Sequence, residues 1–183
     1  MKPIKGLLLA TLFASAIAGA APLKTDAAKS SVAAVFKQMN VPVEARFKNF
    51  TAQIDYDAAQ PAASKANVEI ATASLDIGDP DMNQEVAKKE WFNSAQFPKA
   101  SFVSTSIAPA GAGKLNVAGK LTLKGKSANV SFPLTVKTEG GKQVFEGQLP
   151  IKRLAFNIGE GEWKDTSMVA DEVVIKFRVT AAP

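Results

Sequence analysis

The chain has 183 residues and a formal net charge of +5, and it contains no cysteine and no histidine. Without cysteine there can be no disulfide, thiolate nucleophile or cysteine-held metal centre, and without histidine the commonest general base and metal ligand are missing. The lysines are scattered rather than massed with interleaved aromatic residues, so we expect no nucleic-acid partner. We expect a single domain that is not an enzyme and needs no cofactor.

The N-terminus has the pattern of a secretory signal peptide. Lys2 and Lys5 precede an uncharged apolar run over residues 6–17, and small residues follow it. A run of about 12 apolar residues is too short to span a bilayer. We therefore predict a cleaved signal peptide over residues 1–20, a mature domain over residues 21–183, and a periplasmic or secreted location. The alternative is a retained N-terminal anchor.

From residue 30 onward, apolar and polar residues alternate with the period of two that is typical of half-buried strands. The predicted strands are residues 30–39, 42–57, 67–75, 99–107, 114–124, 128–137, 144–152 and 172–180. The apolar phase slips between Phe47 and Phe50, which predicts a β-bulge or sharp bend inside the second strand. Eight antiparallel strands can close into a barrel that holds side chains or one small ligand. The predicted fold class is therefore an all-β, eight-stranded antiparallel barrel.

Two segments break the alternation. Asp79 and Pro80 read as the N-cap and first residue of a short helix over residues 81–90. Acidic and amide residues there have the spacing of a calcium loop, but Gln84 occupies the position where such a loop needs glycine. We therefore predict a capped helix. The second segment, residues 154–168, is predicted to be an irregular connection.

The lysines of the fifth strand and its turn suggest a surface role. Lys114, Lys120 and Lys124 share the predicted outer face of that strand, and Lys126 follows the turn. They are interpreted either as ordinary solvated polarity or as a peripheral contact with an anionic membrane surface.

Several ordered motifs resemble the YceI-type polyisoprenoid-binding family, also called bacterial lipocalins. They are Glu90-Trp91-Phe92-Asn93, Phe97-Pro98-Lys99-Ala100-Ser101-Phe102, the segment 117–126, the segment 151–159 and Val169-Ala170-Asp171-Glu172-Val173. The resemblance implies an extended lipocalin-like barrel with a helix and loops near one end. It also implies a periplasmic or secreted binder of long amphiphiles such as polyprenyl phosphates or ubiquinone-type quinones, with capture of lipophilic compounds, antibiotics among them, as a role.

Periodicity leaves two states open for the interior, a packed core or an apolar bore. We expect a bore that holds one isoprenoid lipid or quinone lengthwise, because a barrel of this length is not filled by its own side chains. An apolar ligand would gain about 0.8 kcal/mol for each methylene that it buries there. The predicted bore residues are Phe36, Phe47, Ile54, Val68, Ile70, Trp91, Phe92, Phe102, Leu121, Phe132, Leu134, Ile175 and Phe177. Trp91 and Phe92 are expected to help close one end. Arg153 is interpreted as a headgroup contact or as part of a structural salt bridge.

Two other functions stay open at this point. An enzyme acting on a lipophilic substrate would need a polar pair inside the bore. A barrel used purely as an interaction module would have a filled interior and an exposed apolar patch.

Overall fold

The computed structural model describes residues 22–182. The predicted signal peptide lies outside the described residues and stays a prediction. The strands are β1 Lys24–Thr25, β2 Ser31–Gln38, β3 Val41–Phe47, β4 Phe50–Asp55, β5 Lys65–Ala71, β6 Leu75–Asp76, β7 Lys99–Pro109, β8 Lys114–Leu123, β9 Lys126–Glu139, β10 Lys142–Lys152 and β11 Val169–Ala182. An α-helix, α1, spans Pro80–Val86, and short 3-10 turns lie at Ala27–Lys29, Pro61–Ala63, Thr72–Ser74, Arg153–Phe156 and Gly161–Lys164.

All strand pairs are antiparallel, in the order β4-β5-β7-β8-β9-β10-β11-β2-β3-β6, and β1 pairs with the end of β11. In three places, two consecutive strands lie end to end at the same position in the sheet: β1 with β2, β3 with β4, and β5 with β6. The eleven strands therefore form eight consecutive segments, in the order in which they occur along the chain. The predicted all-β antiparallel barrel is confirmed.

The sheet closes on itself through the segment formed by β3 and β4. Along one side, β3 pairs with β2, and Leu23 donates its N–H to the Ile54 carbonyl at 2.8 Å. Along the other side, β4 pairs with β5, and Lys48 donates its N–H to the Ser74 carbonyl at 3.0 Å. Closure of this kind removes the unpaired sheet edges that promote aggregation.

The predicted phase slip coincides with a real break in the strand. Lys48 and Asn49 separate β3 from β4, and the direction in which apolar side chains alternate changes there. Phe47 and Ile54 therefore both reach the barrel interior from positions of opposite parity. Because of this bend, the segment formed by β3 and β4 can pair with β2 on one side and with β5 on the other in a small, strongly curved barrel.

Two long connections cover one end of the barrel. One, residues 77–98, joins β6 to β7 and contains α1; the other, residues 153–168, joins β10 to β11. We call these two connections the cap. The Asp79 carboxylate accepts hydrogen bonds from the N–H groups of Asp81 and Met82, as an N-cap does. The helix ends at Val86, four residues before the predicted end, because the chain then folds into consecutive turns in which Phe92 donates to the Val86 carbonyl.

Among residues 22–182, no helix has both the length and the apolar character that crossing a bilayer requires.

Candidate functional site

An apolar cavity of about 300 Å³ runs through the barrel interior. Residues along most of β11 contribute to its wall, from Val169 beside the cap to Val179 near the opposite end of the barrel. At about 3.3 Å per residue, that stretch of strand is about 30 Å long. The cavity therefore has the elongated form that suits a chain-like molecule.

Several inward-facing residues are less buried than a packed core would make them. Phe36, Ile70, Phe102, Ile175 and Phe177 all line the cavity, yet each keeps a substantial accessible surface. Side chains in a filled interior pack at the density of an organic crystal and keep almost none. These residues face open space, so the barrel is hollow.

An aromatic row crosses the middle of the cavity. The rings of Phe102 and Phe132 lie 5.4 Å apart between centroids, and Phe132 and Phe177 are also 5.4 Å apart at a near-perpendicular angle. Glycines on the intervening strands make room for this row. A Cβ added at Gly119 would lie 2.5 Å from the Phe102 ring, and one at Gly147 would collide with the Phe177 ring.

The structure brings the thirteen predicted bore residues together. All of them lie on the cavity wall: Phe36, Phe47, Ile54, Val68, Ile70, Trp91, Phe92, Phe102, Leu121, Phe132, Leu134, Ile175 and Phe177. Phe47 and Phe92 also contact each other edge to face, with centroids 6.1 Å apart. That these residues contact a ligand stays a prediction.

Sequence reasoning missed two groups of wall residues. The first comes from the strands and shares the predicted inward phase, so the alternation could have found it; examples are Leu115, Val117 and Leu149. The second comes from the cap and includes Met82 and Val86 of α1. Their spacing of four residues places them on one helix face, but only the fold shows that this face covers the cavity.

Polar side chains are few on the cavity wall. Within residues 22–182, the wall has two tryptophans and the following other polar residues: Gln38, Tyr56, Ser64, Glu85, Ser101 and Arg153. Glu85 forms an ion pair with Lys88 at 2.6 Å. Burial raises the pKa of Tyr56, and its ring packs edge to face on Phe145 with centroids 5.4 Å apart. The wall therefore offers apolar area far more than polar contacts.

Arg153 is buried in the cap and is only 2% exposed. Its guanidinium donates hydrogen bonds to backbone carbonyls. Its five N–H groups donate to the carbonyls of Ile158, Gly159, Trp163, Val169 and Ala170 at 2.7–3.2 Å. Desolvation lowers its pKa, and the nearby Asp171 carboxylate opposes that shift.

This geometry corrects both interpretations of Arg153. A guanidinium has five N–H donors, so none is left for a lipid headgroup. Within residues 22–182, no carboxylate forms a salt bridge with it either. Arg153 instead holds the connection 153–168 against β11, and its guanidinium carbon lies 5.7 Å from the centre of the Trp91 ring.

Lys124 also differs from its predicted place on the outer face. Its side chain is only 6% exposed, and its ammonium donates to the Lys89 and Asn157 carbonyls, both at 2.7 Å. It also forms an ion pair with Glu160 at 2.9 Å, and this contact lowers the pKa of Glu160. Lys124 and Gly125 form the β8–β9 turn with positive φ angles of 46° and 74°, which turns this side chain into the cap. The predicted cluster of exposed lysines therefore loses Lys124.

Trp91 carries an unsatisfied donor on the cavity wall. The residue is 9% exposed, and its indole Nε1 is buried without a hydrogen-bond partner. Asp55 Oδ1 is likewise buried and unpartnered, but Asp55 does not line the cavity. The Trp91 ring therefore lines the cavity, while its N–H is enclosed by the surrounding protein without a partner.

Comparison with known proteins places this arrangement in a family. Residues 23–181 match the model of the YceI-like domain. The chain belongs to the YceI-like family. A UPF0312 protein of Shewanella baltica is 32% identical over 150 residues, which cover 80% of this chain and 75% of that relative.

Solved structures of similar proteins share the fold. BcnA of Burkholderia cenocepacia is 55% identical, with a TM-score of 0.85 over 87% of this chain and 100% of that one. A polyisoprenoid binding domain from Saccharophagus degradans, implicated in plant cell wall breakdown, is 18% identical with a TM-score of 0.69, and covers 90% of this chain and 99% of that one. The YceI-like barrel, a binding fold, is therefore the framework on which this cavity is built.

Proposed function

We propose that this YceI-like protein is an exported lipid-binding protein. It would hold one long isoprenoid-type molecule lengthwise in the barrel, for transport, storage or sequestration of lipophilic compounds. The observation that carries this proposal is the apolar cavity of about 300 Å³ inside the barrel, on whose wall several phenylalanines and isoleucines keep accessible surface.

The free energy of binding would come from the chain of the ligand. Burying apolar surface contributes about 0.8 kcal/mol per methylene, so each isoprene unit would add roughly 3–4 kcal/mol. A cavity with few polar groups can therefore bind tightly through length alone. The domain of Saccharophagus degradans that shares this fold is described as polyisoprenoid-binding, which supports the same class of ligand here.

The structure argues against the interaction-module alternative, which predicted a filled interior. The enzyme alternative has weaker support than binding, because the charged groups on the wall, Glu85 and Arg153, are engaged in the contacts described above. The proposal is therefore of a binder that does not transform its ligand.

The test is to purify the protein from its host and measure its intact mass under native conditions. We expect a one-to-one adduct that organic extraction releases and that mass spectrometry identifies as an isoprenoid lipid. A delipidated protein that rebinds neither a ubiquinone-type quinone nor a polyprenyl phosphate would overturn the proposal.

Two variants of β2 make a matched pair for this test. Ala34 lines the cavity, whereas Val35 is its neighbour on the opposite face of the strand. Ala34→Phe should lower lipid affinity at least tenfold by occupying the cavity. Val35→Phe adds the same ring outside the barrel and should leave binding unchanged. Equal effects of the two variants would show that the lipid binds elsewhere.

A further inference from the structure

The exposed apolar side chains of this protein gather at one end of the barrel. Among residues 22–182, five large apolar side chains are between 36% and 69% exposed: Met39, Val41, Met82, Val103 and Met168. Four of them lie at the cap end, and the remaining one, Val103, lies in the middle of β7. Single exposed apolar residues are ordinary on a protein surface, whereas a group of them in one place marks an interaction site.

Backbone contacts place three of these residues at the edge of the cavity. The Met39 N–H donates to the Met168 carbonyl at 2.8 Å, which joins the β2–β3 turn to the cap. Gln38 and Val169, their neighbours along the chain, pair with each other and both line the cavity. Val41 pairs with Gln38 across β2 and β3. Opposite residues of an antiparallel pair share one face of the sheet, so Val41 extends the apolar inner face beyond the cavity.

Met82 of α1 marks where the cavity reaches the surface. It is 36% exposed and is the most exposed residue on the cavity wall. Because β6 pairs antiparallel with Arg46 and Phe47 of β3, the chain leaves β6 toward the β2–β3 turn, and α1 lies at the same end as that turn. We call these four exposed residues the rim: Met39, Val41, Met82 and Met168.

The backbone of the β2–β3 turn does not favour methionine. Met39 and Asn40 have φ angles of 47° and 64°, and a two-residue turn of this kind prefers Asn, Asp or Gly at both positions. Asn40 satisfies this preference and Met39 does not. The Met39 side chain is 69% exposed, so packing within the protein does not offset the strain. A contact outside the protein gives this methionine a purpose.

The size and charge of the rim favour a lipid bilayer over a protein partner. A stable protein interface takes about 20–30 residues on each side, and the rim has four. Methionine side chains are flexible and adapt to a partner that has no fixed shape. Within three residues of the rim along the chain, Lys37 stands against more numerous carboxylates, which are Glu44, Asp79, Asp81, Glu85, Asp165 and Asp171. The rim therefore does not favour an anionic surface, and its contact with a bilayer would be apolar.

We propose that the rim docks the cavity mouth on a bilayer of zwitterionic phospholipids. The bound molecule would then pass between the membrane and the barrel without crossing water. Removal of the rim side chains from water drives the contact. This inference rests on the proposed lipid-binding function and adds the surface from which the ligand is collected.

The test is flotation of the purified protein with phosphatidylcholine vesicles in a density gradient. The variant Met39→Gln/Val41→Thr/Met168→Gln makes the rim polar at three residues that do not line the cavity. Val103→Thr is the matched control, because it makes the same change at an exposed valine outside the rim. We expect wild type and Val103→Thr to float equally, and the partition coefficient of the triple variant to be at least tenfold lower. High salt should not weaken the contact.

A single variant separates docking from folding. Met39→Asn places a residue that suits positive φ in the turn, so its urea midpoint should equal or exceed that of wild type. Its partition onto vesicles should nevertheless fall by about two- to fivefold, because an apolar side chain is lost. A protein that folds at least as well and docks less cannot be explained by damage to the fold. Undiminished docking of Met39→Asn would contradict the role of the rim.

Three other outcomes would overturn the inference. Wild type may not float with neutral vesicles at all, or it floats only with anionic vesicles and is released by salt, which would assign the contact to surface lysines. Sedimentation without vesicles could instead reveal a dimer that the triple variant lacks, and the rim would then be an interface between copies. The lipid-binding measurement proposed above is independent of the vesicles. If delipidated wild type binds isoprenoid lipid but not vesicles, docking alone fails; if it binds no such lipid, the proposed function fails.

Discussion

The barrel wall and the cap are stabilised in different ways. The wall depends on long ladders of strand pairing and on many apolar side chains, each of which contributes a small share. The cap depends on a few buried cations, Arg153 and Lys124, which bind backbone carbonyls from separate parts of the chain. We therefore expect the wall to tolerate single substitutions that leave its volume unchanged, and the cap to depend on individual residues.

The largest effect is expected at Arg153. Arg153→Ala would leave five backbone carbonyls without their donor in a buried place. We expect the free energy of unfolding to fall by about 3–5 kcal/mol, measured by urea denaturation. Hydrogen exchange should show that protection is lost first in residues 153–168.

Lys152→Ala is the control for this prediction. Lys152 is the adjacent residue, and its exposed side chain lies 3.8 Å from Glu172 in a solvated ion pair. Such pairs contribute about 0–1 kcal/mol. Similar losses for Arg153→Ala and Lys152→Ala would contradict the view that the cap depends on a few buried donors.

A smaller effect is expected at Gly147, where the neighbouring Phe177 ring leaves no space for a side chain. Gly147→Ala places a Cβ against the Phe177 ring, which must then move toward Phe132 and into the cavity. We expect a loss of about 1–3 kcal/mol in the free energy of unfolding together with weaker lipid binding. The double variant Gly147→Ala/Phe177→Leu should recover much of both losses. If it recovers neither, the collision with Phe177 is not the cause.

The smallest effect concerns Asp76, which links the wall to the cap. Its carboxylate accepts hydrogen bonds from Lys48, Asn83 and the Gly78 N–H, and these lower its pKa from 3.8 to about 2. Because the folded-state pKa is depressed, the stabilisation is present above about pH 4 and is lost as the pH falls toward 2.

Carboxyl NMR titration measures this pKa directly. We expect Asn83→Ala to raise the pKa of Asp76 toward its ordinary value, because one of its hydrogen-bond donors is removed. High salt should also raise it, since Lys48 is largely exposed and its charge is screened. A wild-type midpoint near 4 would show that these contacts do not hold α1 to the barrel.

The sequence predicted the wall well, because the relevant signal is local. Alternation placed every long strand within a few residues of its observed bounds, and the slip at Phe47 and Phe50 located the break at Lys48 and Asn49. All thirteen predicted bore residues lie on the wall of the cavity. A period of two is a property of a strand alone, so neighbouring strands are not needed to read it.

The cap was predicted poorly, for the complementary reason. The predicted helix extends to residue 90, but the observed helix ends at Val86. Lys124 is predicted on the outer face of its strand, but its side chain is buried. The partners of Arg153 are backbone carbonyls, which every residue has and which leave no mark in the sequence. The unpartnered Trp91 N–H could not be foreseen either, since a missing partner is visible only when all neighbours are in place.

By itself the sequence determined that this protein is an antiparallel barrel with an apolar inner face, because side-chain alternation along each strand decides which face is apolar. Only the tertiary structure decided that the inner face surrounds a cavity and that the buried cations of the cap, Arg153 and Lys124, already have hydrogen-bond partners. Both depend on how side chains distant in sequence share space, as the rings of Phe102 and Phe177 do with Gly119 and Gly147.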